Sequence, residues 1–169
     1  MDGVLTFDHE LTIHLDPGTY HWISVKVFRF ESAQPNHEQL LSALIAHPRY
    51  RDHYATDFAE QGTHALHGPY RLDAITADTF TPTTAEAART LLQDWANTAS
   101  GSVPVKVQRE LDERVFAWLG LGVLYRLPDL RPGAEHDWGW VVGAINGFHE
   151  LVSIDHKNRI LTLVVAADD

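Results

Sequence analysis

The C-terminal stretch 138–169 constrains the fold more than any other part of this chain. Two apolar runs, 140–142 with 148–154 and then 160–166, flank the polar residues 155–158, which is the pattern of a β-hairpin. The second run is apolar on both of its alternating faces, so it predicts a strand that is covered on both sides and not an edge strand. We therefore expect the chain to end inside its own hydrophobic core.

The length of the chain predicts a single α+β domain over residues 1–169, because it suffices for one complete core. The composition, 44% hydrophobic and 21% charged, is ordinary for a globular protein. No apolar run approaches the roughly 20 residues of a membrane-spanning helix, and the first residues do not resemble a secretory signal. The chain has no cysteine, so it forms no disulfide and no thiolate metal site. These features favour a cytoplasmic protein with no membrane partner.

Acidic side chains outnumber basic ones along the whole chain. The net charge is −10, with 11 acidic and 5 basic residues in 1–84 and 12 acidic and 8 basic residues in 85–169. An acidic field without a basic stripe repels phosphate backbones, so nucleic acid is not an expected partner. A basic protein or a cationic ligand is favoured instead, although net charge also serves solubility alone.

The first part of the chain predicts three strands and a well-capped helix. The strands are expected at 4–7, 11–15 and 20–30. The helix is expected to begin after Asn36, an N-cap residue with Gln39 three positions later, and to end at 47–48, where a proline follows.

The middle of the chain mixes helical and strand patterns. We expect a helix at 48–61, a loop at 63–69, a strand at 70–80, a helix that starts from a capping box at 83–86, and a loop at 128–137. The stretch 103–127 is ambiguous, because 115–119 and 123–127 could both be strands. We favour a helix up to about Trp118 and a strand after Gly122.

The order of these elements does not alternate between strand and helix as a doubly wound fold requires. It predicts an α+β fold in which three or four helices pack mainly on one face of an antiparallel or mixed sheet. Such a sheet can line a pocket beneath its helices.

The motifs of several large enzyme classes are absent. The chain has no P-loop, no Gly-x-Gly-x-x-Gly after a strand and no Gly-x-Ser-x-Gly elbow, so no cofactor is predicted. His149 and Glu150 do not belong to a His-Glu-x-x-His motif. On a strand they point to opposite faces, so we expect one to line the inner face and the other to contact solvent.

Histidine is abundant, with 11 residues, and two of them suggest a metal site. His14 and His21 lie symmetrically about the turn at 17–18 and would be cross-strand neighbours in that register. Two histidines could begin a zinc site, but no spacing supplies the third ligand, so no metal is predicted.

Two other histidine patterns are candidates for chemistry. On the expected second helix, Arg49, His53 and Asp57 form one i, i+4 column, in which Asp57 could orient His53 as a general base. A solvated charge ladder is the favoured interpretation of that column. His64 and His67 precede a Gly-Pro pair, and they are the best loop candidates for contact with a ligand or partner.

The segment around Trp138 and Trp140 interleaves indole rings with glycines. Glycine lets a partner approach the backbone while the indoles supply contact area, as in a ligand platform or a protein interface. Two core indoles beside β-bulges fit the pattern equally well.

These observations favour an acidic binding protein that engages a basic protein partner. One alternative is a small enzyme that performs acid–base chemistry on an organic substrate, with His53 or His149 as base and Asp57 or Glu150 as acidic or orienting group. Another is a noncatalytic small-molecule binder. The sequence does not decide whether the protein is an enzyme. It also does not decide whether homo-oligomers form through a sheet edge or the Trp138 segment.

Overall fold

Six strands of the chain form one antiparallel sheet. The structure, a computed structural model, describes residues 3–15, 21–32, 34–52, 54, 66–98, 102–130 and 146–168. The strands of the sheet are β1 (Thr6–His14), β2 (His21–Arg29), β5 (Thr81–Thr83), β6 (Val123–Leu127), β7 (Phe148–Asp155) and β8 (Ile160–Asp168). Their order in space is β1-β2-β8-β7-β6-β5. A separate short hairpin consists of β3 (Leu66–His67) and β4 (Tyr70–Arg71).

Three helices accompany this sheet in the part of the chain that the structure describes. They are α1 (His37–Ala46), α2 (Ala85–Asn97) and α3 (Val105–Leu111), and α3 continues through a π-helical segment (Asp112–Phe116) into a last turn (Ala117–Leu119). Short 3₁₀ turns occur at Pro48–Tyr50, Leu72–Ala74 and Ala77–Thr79. None of the described helices has the length and apolarity needed to cross a membrane.

The helices lie on both faces of the sheet. On β2, Trp22 and Phe28 pack with α1 on one face, whereas Ile23, Val25 and Val27 pack with α2 and α3 on the other. The expected α+β class and antiparallel sheet are therefore confirmed, but packing mainly on one face is not. Both faces need covering because the central strands β2 and β8 are apolar on both sides.

The C-terminal hairpin forms as the sequence predicts. β7 pairs with β8 in antiparallel register, and β8 also pairs with β2, so the last strand is central. Asn158 closes the turn by donating from its backbone and side-chain nitrogens to the Asp155 carboxylate, at 3.1 and 2.7 Å. The final strand is buried along 161–168.

Several local predictions in the rest of the chain are confirmed. Asn36 caps α1 and forms a capping box with Gln39. The helix after 83–86 forms as α2, although its N-cap is Thr84, one residue later than the pattern suggests. The stretch 103–127 forms the favoured helix and then a strand.

Other local predictions are wrong. The two expected strands at 4–7 and 11–15 are one strand, β1, with a bulge between Phe7 and His9. The expected strand at 70–80 is only two residues of β4, followed by two 3₁₀ turns.

Candidate functional site

Six polar side chains converge on the face of the sheet that α1 covers. We call Lys26, Tyr50, Asp52, Tyr54, His67 and Glu150 the polar cluster. β2 carries Lys26 and β7 carries Glu150, each among buried apolar neighbours on its strand. The segment 48–54 and the β3–β4 hairpin lie over them and supply the other four side chains.

Glu150 is the centre of the inner half of the polar cluster. One carboxylate oxygen, Oε2, accepts a hydrogen bond of 2.7 Å from the Tyr50 hydroxyl, and the other, Oε1, contacts Nε2 of His67. The Tyr50 and His67 rings stack with centroids 3.6 Å apart. All three side chains are fully buried, so their polar atoms depend on one another.

The hydrogen bonds of His67 define where its protons lie. Nδ1 donates to the Tyr50 carbonyl oxygen at 2.6 Å, so it carries a proton. One further proton is shared between Nε2 and the Glu150 carboxylate, which makes the pair either an ion pair or two neutral groups. Burial, and next the neighbouring Glu150, raises the pKa of the Tyr50 hydroxyl well above its ordinary value, so Tyr50 stays a donor.

Lys26 is the centre of the outer half of the polar cluster. Its ammonium is 1% exposed and donates to Asp52 Oδ2 at 2.6 Å and to the Arg49 carbonyl at 2.9 Å. The Tyr54 hydroxyl lies 3.3 Å away, and the ammonium lies 4.5 Å from the centre of that ring. Glu10 lies 3.8 Å from the ammonium and is 37% exposed. The buried cation is thus fully paired.

The polar cluster explains why the helix expected at 48–61 is wrong where the structure describes it. The Arg49, Tyr50 and Asp52 carbonyls accept hydrogen bonds from Lys26, His67 and Gly68, respectively. A helix would need such carbonyls for its own amides. The chain instead forms a single 3₁₀ turn, and Tyr54 adopts a φ of 58°.

The cluster has little capacity for catalysis in its present geometry. Both Glu150 oxygens, both His67 nitrogens and the Lys26 ammonium have partners inside the protein. A general base needs a free position within reach of a substrate proton. The arrangement is that of a buried hydrogen-bond network that fixes 48–54 and the β3–β4 hairpin to the sheet.

The structure brings together only part of the sequence-predicted site. Glu150 and His67 are direct partners, whereas His149 lies on the other face of β7, where Nε2 donates to the Asn146 carbonyl at 2.9 Å. The remaining candidates lie outside the described residues: His53, Asp57, His64, Trp138 and Trp140.

Sequence reasoning missed Lys26, Tyr50, Asp52 and Tyr54 as members of one cluster. A signal was present in β2, where Lys26 interrupts an otherwise apolar and aromatic strand. A lysine on the covered face of a strand requires an anion above it. The sequence alone does not tell which of the many carboxylates supplies it.

The symmetric pairing proposed for His14 and His21 is wrong by one residue. His14 pairs with Trp22, so the two histidines lie on opposite faces of the sheet. His21 is buried against α2, with its ring centroid 4.9 Å from that of Trp95. Within the described ranges, no group of three or more His, Asp or Glu side chains is arranged to hold a metal ion.

Phe148 marks a second feature, at the start of β7. Its ring lies against those of Tyr54, His67 and Tyr70, with centroids 6.0, 5.9 and 5.5 Å away. The Tyr70 hydroxyl accepts a hydrogen bond of 3.3 Å from the Leu130 amide. We call these rings with Leu130 the Phe148 corner, and Asn146 lies two residues before Phe148 in the chain.

The residues that flank two segments of the chain lie at or beside the Phe148 corner. Segment 55–65 follows Tyr54 and precedes the β3–β4 hairpin, and segment 131–145 follows Leu130 and precedes Asn146. Together they contain four acidic residues and one basic residue, as well as both tryptophans of the interleaved segment. The ends of the two segments are therefore neighbours in space, although they are far apart in sequence.

No protein-family model matches the sequence, and no curated protein matches it. Among solved structures, a crystal structure of citrus MAF1 is similar at 15% sequence identity and a TM-score of 0.38, and the match covers 91% of this chain and 92% of that chain.

Replacing Gly68 by alanine should destabilise the protein by about 2–4 kcal/mol, the combined cost of overpacking and of a strained φ. Gly68 has a φ of 53°, and a Cβ atom there would lie 2.4 Å from Phe148 Cε2. Urea denaturation measures the loss. Gly120→Ala is the control, because a Cβ atom at that position meets no atom within 4 Å, and equal losses in the two variants would contradict the expectation.

Stability should fall as the pH drops below about 6.5. Burial is the main cause that lowers the pKa of His21, His37 and His47 below 6.5 in the folded protein. The unfolded chain therefore binds more protons than the folded protein in this range. The contribution of the three neutral histidines to the free energy of unfolding is complete above pH 6.5, and it is lost as the pH falls to their lowered pKa values. Urea denaturation at pH 7.5 and 5.5 tests this, and a higher stability at pH 5.5 would contradict it.

Proposed function

We propose that this chain is an acidic interaction protein that binds a basic protein partner through segments 55–65 and 131–145. The single observation that supports this most is that the residues beside three ends of these segments, Tyr54, His67 and Leu130, pack at the Phe148 corner, and the fourth end, Asn146, lies two residues before Phe148. Residues far apart in sequence can therefore contribute to one contact surface. The partner contacts proposed here are His64, Trp138 and Trp140.

The charges of the two segments are suited to a basic partner. The two segments contain four acidic residues, Asp57, Glu60, Glu135 and Asp137, and one basic residue, Arg131. By contrast, the surface of α2 and the helical segment 105–119 carries acidic and basic side chains in nearly equal numbers. Complementary charge accelerates association and selects partners, while aromatic side chains supply most of the affinity.

The polar cluster supports the proposal as a scaffold and not as a contact surface. Tyr54 and His67 hold the ends of segment 55–65, and each belongs to the network around Lys26 or Glu150. The sequence suggested His67 as a partner contact. In this proposal His67 is instead a buried residue that binds Glu150 and packs against Phe148, next to the end of segment 55–65.

Binding to basic probes tests the proposal. We would measure the affinity of the full chain for a 20-residue polylysine peptide and for cytochrome c across a salt series. Neutralising Asp57, Glu60, Glu135 and Asp137 as their amides should weaken binding at least about tenfold, the equivalent of 1.4 kcal/mol. Replacing Trp138 and Trp140 by alanine should weaken cytochrome c binding by a similar factor.

A matched variant separates location from net charge. Glu86, Asp94, Glu110 and Glu113 lie on α2 and the helical segment 105–119, across the sheet from the Phe148 corner. Neutralising these four removes the same charge and should leave the affinity within about twofold, since distant rim charges contribute little. Equal losses in the two variants, or no binding by the wild type, would contradict the proposal.

The groove beside α1 favours a second candidate, small-molecule binding. It has a volume of about 650 Å³ and is lined by Val4, Ser32, Gln34, Pro35, Glu38, Gln39, Ser42 and Ala43. This is a usual size for a ligand site. A compound that raises Tm for the wild type, but not for a Ser42→Trp variant that fills the groove, would support it. Absence of any such compound from a broad metabolite screen would count against it.

The enzyme alternative depends on His53, Asp57, His149 and Glu150, and the first two lie outside the described residues. Both oxygens of Glu150 have partners within the polar cluster, and His149 Nε2 donates to a backbone carbonyl. In this geometry neither side chain is placed to exchange a proton with a substrate.

A further inference from the structure

His47 caps the 3₁₀ turn that supports the polar cluster. Its ring nitrogen Nδ1 accepts a hydrogen bond of 3.1 Å from the Arg49 amide, and its own amide donates to the Leu44 carbonyl at 3.0 Å. The side chain thus joins the end of α1 to the turn Pro48–Tyr50. Most N-caps are Ser, Thr, Asp or Asn, whose oxygens accept a hydrogen bond at any pH above the acid range.

A histidine cap differs from those residues because its acceptor is lost on protonation. Neutral imidazole accepts through one ring nitrogen, whereas both nitrogens of the imidazolium are donors. Protonated His47 would therefore place an N–H group against the Arg49 N–H group. The cap hydrogen bond would be replaced by a repulsive contact.

The turn under this cap holds both halves of the polar cluster. The Arg49 carbonyl accepts from Lys26, the Tyr50 carbonyl accepts from His67, and the Tyr50 hydroxyl donates to Glu150. The chain then continues through Asp52 to Tyr54 at the Phe148 corner. Opening the turn would thus loosen one end of segment 55–65.

The groups around His47 disfavour its protonation at neutral pH. Burial against β2, where Phe28 lies 5.0 Å from the ring, and the nearby Arg49 and Lys26 lower the pKa of His47 below 6.5. Two carboxylates of β1 already have cationic partners: Asp8 pairs with Arg29, and Glu10 lies 3.8 Å from Lys26. The cap is therefore intact at neutral pH, and protonation requires mild acid.

We propose that His47 is a proton-sensitive cap whose protonation opens segment 48–54 and weakens partner binding at the Phe148 corner. The opening follows from the cap geometry alone, and only its effect on binding rests on the proposed function. The partner would then be held at neutral pH and released in mild acid.

Amide hydrogen exchange of the full chain tests the opening without any partner. After correction for intrinsic rates, protection of the Arg49, Tyr50 and Asp52 amides in the wild type should fall up to about tenfold per pH unit from about 6.5 down to the lowered pKa of folded His47. His47→Asn keeps a cap acceptor that does not titrate, so its protection should stay high from pH 7.5 to 5. His47→Ala lacks the acceptor and should show low protection throughout.

His37→Asn is the matched control, because it removes another histidine of lowered pKa and should leave the pH dependence at residues 49–52 unchanged. An unchanged pH dependence in His47→Asn, or none in the wild type, would overturn the proposal. The polylysine affinity at pH 7.5 and 5.5 is measured separately in the same variants. If the turn opens in acid while the affinity of wild type and His47→Asn changes equally, the cap stands and its link to binding fails.

Discussion

Replacing Glu150 by alanine should destabilise the protein by about 3–5 kcal/mol, the usual cost of removing one partner from a buried charged pair. The variant leaves the Tyr50 hydroxyl and His67 Nε2 buried without an acceptor or partner. Both side chains are fully buried, so water cannot replace the carboxylate without opening the core. Urea denaturation followed by tryptophan fluorescence measures the change.

Glu150→Gln is the decisive comparison for this prediction. A glutamine amide can donate to Nε2 of neutral His67 while its oxygen accepts from Tyr50, so every hydrogen bond of the network is kept. We expect Glu150→Gln to lose at most about half of the unfolding free energy that the alanine variant loses. The glutamine keeps the hydrogen bonds, but these bonds are neutral and therefore weaker than bonds to a charged group. Equal losses in the two variants would show that the shape of the side chain matters and that its hydrogen bonds do not.

Replacing Asp52 by alanine should cost about 3 kcal/mol, because it leaves the Lys26 ammonium buried without its principal anion. Lys26 is 1% exposed, and the other carboxylate, Glu10, lies at 3.8 Å, beyond hydrogen-bond distance. The variant should also increase exchange of the Gly68 amide, which donates to the Asp52 carbonyl in the wild type. Urea denaturation and amide exchange measure the two effects.

A double variant shows whether the unpaired charge is the cause. Lys26→Met with Asp52→Ala removes both charges and fills the space of the lysine stem with an apolar chain, which is often neutral for a buried pair. The double variant should recover at least half of the stability lost by Asp52→Ala. If the double variant is less stable than the single variant, the unpaired lysine does not explain the stability lost by Asp52→Ala. The cause would then be the lost hydrogen bond from the Tyr54 amide to Asp52 Oδ1.

Much of the fold could be predicted because its signals are local. The α1 cap needs only Asn36 and Gln39, three residues apart, and two apolar runs on either side of a polar turn are enough to predict a hairpin with a covered final strand. The position of the helices on both faces was less accessible. The placement of the helices depends on which strands lie at the centre of the sheet. β2 and β8 are apolar on both faces, but they show that helices cover both faces only when their pairing at the centre is known.

The candidate site was much harder to predict, since its members are distant in sequence. His67 and Glu150 are 83 residues apart, and Tyr50 and Glu150 are 100 apart. The pattern that predicted a helix at 48–61 did not correspond to a helix in the described residues. The carbonyls of that segment bond to Lys26 and His67, and these tertiary contacts outweigh a modest helix propensity.

The sequence by itself determined the α+β class, the capped α1 and the C-terminal hairpin that ends in the core, because helix caps and apolar runs around a turn depend on residues that are close in the chain. Only the tertiary structure decided that Lys26 meets Asp52, that Glu150 meets His67, and that Tyr54, His67 and Leu130 pack together at the Phe148 corner. The physical reason is that a buried charge specifies the kind of partner it needs, whereas the packing of the whole chain selects which residue supplies it.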